Sequence, residues 1–508
     1  MDQHIFAQEF VNLMAKALQI LVQVSEEELY MLNAAKDYSA IGNDVKQKIS
    51  VSTIKSVQQL LERIHSILTI AQECTNTARL LYAKALCQHL DQLISYSDEM
   101  CNSNCIWAGN RISLHCLIPV QSDRKPVILK SLNNNCSETG VCISPKFPTS
   151  KAINAVGDSS QPRSLSSKNA LYGINGILQN VSYRPYVKGG PEVQHIILSE
   201  RACHEGEQRL PQETRIVFSP LTDRSDLLVT QNCDLPNQYQ GFEITNLTDP
   251  SYIEKRFSKT WLESCKKRPD IFFAPEMLST DNMIRIENGG SAFLKPLLKE
   301  AAINGWNAPR LTIMPTHWEN RANRVLVFDE TGQYLGTQLK CTPYVDQKKN
   351  RIEALSPADS SDVLMIHIKN QQRVAIAICA EFITNVERIS HFLCKQLEAT
   401  LILVPSYSNG ERDFIDSLPT LKPYGTSVIW GNCCGAVYDE QSQGPTQRAI
   451  GSCSYAGIDN PNRFGRKVKC NFRCGTSSSC FFVIDIPTIV SQSKVNSSSA
   501  PEITHFCN

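Results

Sequence analysis

The sequence lacks a bias of charge: 51 Lys and Arg residues stand against 50 Asp and Glu residues in a chain of 508. A net charge of +1 gives no bulk electrostatic reason to bind a nucleic acid or an anionic membrane surface. The chain also lacks the run of roughly 18 to 20 apolar residues that a membrane-spanning helix needs. The longest early apolar run, from Ala17 to Val24, is broken by Gln19 and Gln23. We therefore expect neither membrane insertion nor direct nucleic-acid binding.

The first four residues, Met1 to His4, lack the positive charge of a signal peptide, and no short apolar stretch with a cleavage site follows them. The sequence therefore predicts a cytoplasmic protein. In that compartment the 20 cysteines are expected to be reduced thiols. Most should be small buried side chains, and one or two should be reactive.

The sequence contains no glycine-rich phosphate loop, no Walker sequence and no H-E-x-x-H metal motif. We therefore predict no cofactor and no metal. One alternative stays open, because Cys470, Cys474 and Cys480 could supply thiolate ligands, with Cys101 and Cys105 adding more. Structural zinc usually has tighter cysteine pairs and four ligands, so this cluster does not by itself predict a zinc site.

Residues 1–100 have the apolar pattern of amphipathic helices. Apolar residues recur every three or four positions from Ile54 to Ala71, with Ser52 as a candidate cap, and again from Ala78 to Leu93. Ile5 to Leu21 is a third candidate helix. We predict a helical module that serves in oligomerisation or in binding a protein partner.

The rest of the chain divides into three segments. Residues 101–211 mix short β-like runs with polar stretches and predict a connecting region without assigned chemistry. Residues 212–490 alternate apolar strands with helices and contain a hairpin turn at 330–333, which predicts an α/β domain with a mixed sheet. Residues 491–508 form a polar tail.

Three reactive side chains follow predicted strands of this domain. Glu276 follows the strand at 271–274, Lys340 ends the hairpin, and Cys379 ends the strand that begins at Val374. Strand ends can converge on one rim of a sheet, where ligands commonly bind. There a thiol can attack a carbonyl, a carboxylate can take and return its proton, and an ammonium group can stabilise the oxyanion. The trio therefore predicts nucleophilic catalysis by Cys379.

These residues resemble the motifs of the carbon–nitrogen hydrolase (nitrilase) superfamily. Members carry Pro-Glu after a strand, Lys after a hairpin and Cys after an apolar strand, in that order. The matching segments here are Pro275-Glu276, Lys340 with Pro343, and Ile378-Cys379-Ala380-Glu381, and the flanking segments 323–340 and 401–405 are also similar. The resemblance covers about residues 212–488.

The resemblance implies an α/β fold of the nitrilase type, an α-β-β-α sandwich, here with an N-terminal helical module. It implies a cofactor-free hydrolase that acts on a non-peptide C–N bond of a small amide or nitrile through a thioester on Cys379, often as a homo-oligomer. Transfer of the acyl group to another amine would use the same residues. The family's second glutamate corresponds to Glu353, the only Glu between Lys340 and Cys379.

Three further side chains are candidates for substrate contacts. His317 follows a predicted strand on the presumed rim, and Tyr407 and Trp430 could line a pocket. Packing roles are the alternative for all three.

Two competing hypotheses remain. Gly431 to Gly435 reads as G-x-C-x-G, a nucleophile-elbow pattern that would make Cys433 the nucleophile, with His505 as the available downstream histidine. Alternatively, the domain is a nitrilase-like binding or regulatory module of a multi-protein assembly, for example one for bacterial antiphage defence with a separate reverse transcriptase. The sequence leaves the substrate and the oligomeric state open.

Overall fold

The chain is described here from a computed structural model. The residues that the structure describes are 3–22, 24–25, 28, 31–32, 35, 37–50, 56–95, 107–108, 111–113, 126–133, 136–146, 175, 178, 180–198, 213–235, 239–346, 350–356, 362–368, 372–385, 388–424, 426–437, 449–454, 466–469, 479–487 and 503–507. The chain divides into two compact units. The first comprises Met1–Arg201, His367–Asn370 and Lys395–Glu398, and the second comprises the remaining residues.

Four helices open the first unit: α1 (Gln3–Leu21), α2 (Tyr38–Lys48), α3 (Val57–Glu73) and α4 (Asn76–Leu93). Their apolar stripes share one buried core, which includes Phe10, Ile64 and Leu86. Helices α1, α3 and α4 lie where the apolar repeat predicts helices, and α2 was not predicted. The predicted cap Ser52 lies outside the described residues, and the residue that caps α3 is Ser56, whose hydroxyl accepts a hydrogen bond from the Gln59 N–H at 3.2 Å.

Among the described residues of the first unit, short strands and one short helix follow: β1 (Ile94–Ser95), β2 (Trp107–Ala108), β3 (Arg111–Ser113), β4 (Val127–Leu129), α5 (Cys136–Thr139), β5 (Val141–Pro145), β6 (Val181–Pro185) and β7 (Val193–Leu198). Strands β5 and β6 pair antiparallel, and β4 pairs antiparallel with β7. Strand residues such as Val141 and Val181 belong to the same core as the helices. The helices and these strands thus share one core. The predicted boundary between a helical module and a connecting region stays a prediction.

Twenty strands and five helices follow in the described part of the second unit and its borders. The strands are β8 (Glu213–Phe218), β9 (Leu228–Cys233), β10 (Gln240–Leu247), β11 (Ile271–Phe273), β12 (Ile286–Glu287), β13 (Gly290–Ser291), β14 (Leu311–Ile313), β15 (His317–Glu319), β16 (Ala322–Asp329), β17 (Tyr334–Leu339), β18 (Val345–Asp346), β19 (Arg351–Glu353), β20 (Val363–Ile368), β21 (Gln372–Ile376), β22 (Leu401–Ser406), β23 (Ser427–Asn432), β24 (Ala449–Ser454), β25 (Arg466–Lys469), β26 (Cys480–Pro487) and β27 (Ile503–Cys507). The helices are α6 (Pro250–Cys265), α7 (Leu294–Ile303), α8 (Ala380–Thr384), α9 (Arg412–Ser417) and α10 (Cys434–Val437), together with a π-helical segment (Arg388–Gln396) and a 3₁₀ segment (Leu418–Tyr424).

Two large mixed sheets contribute most strands of the second unit, and β18-β19-β10-β9 form a smaller mixed sheet. The first has the order β15-β16-β14-β11-β8-β26-β27, with β17 paired to β16, and the second runs β25-β24-β23-β22-β21-β20. Pairs β8/β11, β11/β14, β21/β22 and β22/β23 are parallel, whereas β14/β16, β23/β24 and β26/β27 are antiparallel. The predicted mixed α/β class is confirmed.

Alternating side chains set the layers of this unit. On β11, Phe272 packs edge-on against Phe257 of α6, while the next residue, Phe273, contacts Phe218 of β8 on the other face. Gly431 of β23 lies so close to that second face that a Cβ would come within 2.4 Å of the Phe218 ring. The second sheet therefore packs on the first through a residue without a side chain.

The outer face of the second sheet is covered by a helix. Trp430, the neighbour of Gly431, stacks on Phe414 of α9 with ring centroids 4.9 Å apart and an interplanar angle of 9°. These contacts define a helix–sheet–sheet–helix order around β11 and β23. None of the helices in the described residues is long and apolar enough to cross a membrane.

Candidate active site

Cys379 lies between strand β21 and helix α8, where the chain turns sharply. Its backbone has φ +49° and ψ −112°, a conformation that non-glycine residues rarely adopt. Two hydrogen bonds hold it: the Cys379 N–H donates to the Pro405 carbonyl at 2.9 Å, and its carbonyl accepts from the Phe382 N–H at 3.0 Å. The residue is 4% exposed. The residue that the sequence predicts as the nucleophile is therefore one of the non-glycine residues with a strained backbone.

Glu276 follows strand β11 and is fully buried. Its Oε1 accepts hydrogen bonds from Lys340 Nζ at 2.7 Å and from Asn323 Nδ2 at 2.8 Å. Its Oε2 accepts one from the Tyr407 N–H at 3.2 Å. Three donors thus fix the carboxylate, as a buried charge requires.

Lys340 directly follows strand β17, and the hairpin register sets its position. Arg324 of β16 pairs with Leu339 of β17, and the Lys340 N–H donates to the Asn323 carbonyl at 2.8 Å. Asn323 and Lys340 therefore stand opposite each other at the open end of the hairpin. Both reach Glu276 from there.

Glu353 returns to the site through a short hairpin. Strands β18 and β19 pair Val345 with Ile352, so the chain doubles back after Lys340. Glu353 Oε2 accepts from Lys340 Nζ at 2.6 Å and from the Tyr344 N–H at 2.8 Å. This hairpin accounts for the spacing of 13 positions from Lys340 to Glu353.

The structure thus brings Glu276, Lys340, Glu353 and Cys379 together, with the side chains of the first three wholly inaccessible to solvent. Burial alone would lower the pKa of Lys340, but the carboxylates of Glu276 and Glu353 outweigh it, so this pKa is raised. Burial raises the pKa of the Glu353 carboxyl, although Lys340 opposes that shift. The ammonium group is therefore held charged between two carboxylates.

The thiol of Cys379 is held in its neutral form. Burial raises its pKa most, and the Glu276 carboxylate, which hydrogen-bonds the thiol, raises it further, whereas Lys340 acts in the opposite direction. A neutral thiol beside a carboxylate can lose its proton only as it attacks, with Glu276 as the acceptor. The arrangement can therefore deliver a sulfur nucleophile and a positive charge to one small reactant.

Glu381 lies beside this cluster, and sequence reasoning did not name it as a site residue. Its side chain is buried, Oε2 accepts from the Ile378 N–H at 2.9 Å, and Oε1 accepts from the Cys341 N–H. Cys341 follows Lys340, and Ile378 precedes Cys379, so one carboxylate ties together the two segments that carry the reactive groups. Asn323 was missed in the same way, and only its position at the start of the hairpin motif pointed to it.

The three candidates for substrate contacts have other surroundings. His317 Nδ1 lies 3.2 Å from the Ser279 carbonyl, and its Nε2 lies 3.5 Å from Asp281. The Tyr407 ring packs with the apolar core, and only the backbone of this residue reaches Glu276. Trp430 is fully buried against α9. The contacts that the structure gives these side chains are packing and hydrogen-bond contacts outside the charged cluster.

The competing nucleophile Cys433 is also buried. Its thiol donates to the Thr222 carbonyl at 3.4 Å, and burial raises its pKa to about 12. His505, the histidine proposed to serve it, contacts Cys480 and Phe482 instead. Cys101, Cys105, Cys470 and Cys474 lie outside the described residues.

Comparison with known proteins gives similarity in structure but not in sequence. No family model matches the sequence, and no curated protein matches it. An amidase from Nesterenkonia sp. aligns with 57% of this chain and 97% of its own, at 13% identity and a TM-score of 0.34. A cysteine-to-serine mutant of the Nesterenkonia AN1 amidase, from the nitrilase superfamily, aligns with 44% of this chain and 78% of its own, at 12% identity and a TM-score of 0.30. These similarities are too low to carry an argument about function, which must come from the site.

Proposed function

We propose that the protein is a hydrolase of a non-peptide C–N bond, with Cys379 as nucleophile, Glu276 as general base and acid, Lys340 as oxyanion stabiliser and Glu353 as the residue that positions Lys340. The single observation that carries the proposal is the position of Lys340 Nζ. It lies 2.7 Å from Glu276 and 2.6 Å from Glu353, in a buried cluster that also contains the strained Cys379.

The first step forms a bond from Cys379 Sγ to the carbonyl carbon of an amide. The thiol proton passes to Glu276, and the carbonyl π electrons move to oxygen. Lys340 stabilises the resulting oxyanion, and the N–H of Ala380 is a second donor because the first N–H groups of a helix have no partner within it. The raised pKa of Cys379 keeps the thiol protonated until a substrate arrives.

The second step breaks the C–N bond. The oxyanion collapses, the amine leaves with the proton that Glu276 returns to it, and a thioester remains on Cys379. Water then attacks the thioester, gives a proton to Glu276, and releases a carboxylic acid as the sulfur recovers its proton. A second amine in place of water would give acyl transfer with the same groups.

Glu353 supports this course through Lys340. Two carboxylates raise the pKa of the Lys340 ammonium group, so this group remains charged and cannot act as a base. The Tyr344 N–H donates to the oxygen of Glu353 that also accepts from Lys340, which fixes the ammonium group in place. Because Cys379 is only 4% exposed, a small amide or nitrile suits the site better than a peptide chain.

The test is release of ammonia from a panel of small primary amides and nitriles by the full chain. We expect turnover of at least one compound, together with an acyl adduct on Cys379 that intact-protein and peptide mass spectrometry detect. Cys379→Ala should abolish both, and the matched Cys433→Ala should retain both. Loss of turnover in Cys433→Ala alone would make Cys433 the nucleophile. A folded wild type that neither turns over nor is acylated would favour the binding or regulatory module.

A further inference from the structure

We propose that Cys480, His505 and Cys507 form a zinc site on the β26–β27 hairpin. The sulfur atoms of the two cysteines and one ring nitrogen of the histidine all lie within 4.8 Å of one another. The Cys480 sulfur lies 3.3 Å from His505 Nε2. None of the three residues belongs to the cluster around Cys379, so the site goes beyond the proposed function.

The hairpin register brings the three side chains to one face of the sheet. Cys480 pairs with Cys507, and Phe482 pairs with His505. Paired residues of an antiparallel ladder project to the same face, and so do residues two apart on one strand. Two thiols and an imidazole therefore converge because of backbone pairing, not because of a chance meeting of flexible side chains.

Neighbouring contacts fix this arrangement. The His505 ring stacks on Phe482 with centroids 4.3 Å apart and an interplanar angle of 10°. On the opposite face Phe481 stacks on Phe506 at 5.1 Å. The Ser219 hydroxyl donates to the Cys480 carbonyl at 3.1 Å, which ties this end of β26 to the chain after β8. The ligand set is thus held before any ion binds.

The donor set selects the ion. Thiolate and imidazole ligands favour zinc over hard cations such as magnesium or calcium. Zinc–sulfur bonds of about 2.3 Å and zinc–nitrogen bonds of about 2.0–2.1 Å place tetrahedral ligand atoms roughly 3.5–3.8 Å apart. The observed spacing needs only small side-chain movements to reach that geometry. A water molecule or a further donor takes the fourth position.

The sequence pointed to this hairpin through only one of these residues. Cys480 was the last residue of the cysteine cluster that the sequence offered as possible zinc ligands. His505 lies in the segment that the sequence predicts as a polar tail. Because β27 pairs with β26, the tail supplies two ligands that spacing along the chain does not reveal.

The experiment uses the full chain, reduced and stripped of metal, and titrates Zn²⁺ in competition with a chromophoric chelator. We expect one equivalent to bind. Affinity should fall by more than about 10-fold in Cys480→Ser, His505→Gln and Cys507→Ser, because even the loss of an outer-shell partner has that effect. Cys74→Ser and His89→Gln are matched controls outside the site, and Cys379→Ala tests the reactive cysteine. All three should retain wild-type affinity.

A second measurement adds a readout on the wild type that does not depend on how well the variants fold. Co²⁺ bound to the wild type should show thiolate-to-metal absorption, and the band should weaken in Cys507→Ser, where one thiolate remains. Three results would overturn the proposal: no binding to the wild type, unchanged affinity in all three ligand variants, or a Cys480–Cys507 disulfide in freshly purified protein. Cys480 and Cys507 form no disulfide with each other in the structure.

Discussion

At the scale of single residues, the central feature is a lysine enclosed by two carboxylates. The side chains of Lys340, Glu276 and Glu353 have no exposed surface, so each charge depends on the others for stabilisation. Removal of one partner from a buried ion pair leaves an uncompensated charge, which is far more costly than the loss of a surface pair.

We therefore predict that Lys340→Met lowers the free energy of unfolding by about 3–5 kcal/mol. Urea unfolding measures the change. The matched control is Lys266→Met, since the Lys266 side chain is 40% exposed and makes only surface contacts of this kind: an ion pair with Glu263 and a cation–π contact with Trp306. That control should leave the free energy of unfolding nearly unchanged. Equal effects of the two substitutions would contradict a buried, paired Lys340.

The raised pKa of Lys340 also predicts a dependence of stability on pH. Above the ordinary lysine value of 10.5 the unfolded chain loses this proton while the folded chain keeps it. The stabilisation is therefore complete below 10.5 and disappears as the pH rises through the higher pKa of the folded state. Chemical unfolding between pH 9 and 11.5 should show a steeper loss of stability in the wild type than in Lys340→Met. Identical slopes would show that the pKa is not raised.

The sequence was sufficient to name Glu276, Lys340 and Cys379 as candidates, because Glu276 and Cys379 follow apolar strands and Lys340 ends a recognisable hairpin. It was not sufficient for Asn323. The register of its hairpin shifts between Val327 and Phe328, and an error of one residue in the register moves every side chain to the opposite face. Glu353 was reached only through the family resemblance, since the two-residue strand before it has no distinctive pattern.

At the scale of secondary-structure elements, the site depends on segments that follow different strands. Glu381 joins them, because its carboxylate accepts from backbone N–H groups next to both Lys340 and Cys379. An unsatisfied buried N–H costs about 1–3 kcal/mol, so this residue matters for stability as well as for geometry. It touches no reacting atom and is a positioning residue.

We predict that Glu381→Ala lowers the rate of Cys379 alkylation by small haloacetamides by more than about 10-fold, since displacement of the thiol from its base removes general-base assistance. Peptide mass spectrometry measures the rate. Glu381→Gln retains one acceptor oxygen and should restore part of the rate. A purely structural role would be shown if Glu381→Ala lowered stability and left the alkylation rate and its pH profile unchanged.

Element prediction succeeded where strands were apolar and failed where they were polar. The strands at 271–273, 311–313 and 401–406 are buried along their length, and their sequences identify them. Strand β27 has no fully buried residue, so its composition resembled a tail. Its pairing with β26 is a tertiary contact that no local pattern contains.

At the scale of the whole molecule, each compact unit has its own buried polar contacts. In the first unit, Asp91 lies near the end of α4, where a negative charge opposes the helix dipole. Its side chain nevertheless accepts from the N–H groups of Asn180 and Val181, both at 2.9 Å. These bonds connect α4 to β6 and explain why a buried carboxylate is present there.

We predict that Asp91→Ala lowers the free energy of unfolding by roughly 2 kcal/mol or more, because two buried N–H groups lose their acceptor. Thermal unfolding and hydrogen exchange measure it, and faster exchange should be confined to α4 and β6. Asp416→Ala is the control, since the Asp416 side chain is 68% exposed. Slow exchange preserved in both elements would contradict the assigned contacts.

The function predicted from the sequence depended on three residues far apart in the chain, and their proximity could be tested only by the fold. Substrate identity could not be predicted, because substrate-binding residues commonly lie on loops, whose sequences carry no regular pattern. His317, Tyr407 and Trp430 illustrate the difficulty, since position near a strand end does not fix where a side chain points.

The most direct test is the rate of iodoacetamide labelling at every cysteine of the native full chain, mapped by peptide mass spectrometry. We predict that Cys379 reacts faster than the other buried thiols despite its raised pKa, and that Glu276→Gln slows it by about 10²-fold or more. Glu254→Gln, a half-buried glutamate that contacts Thr280, should leave the rate unchanged. Slow labelling of Cys379 that does not respond to Glu276→Gln would contradict an activated sulfur at this position.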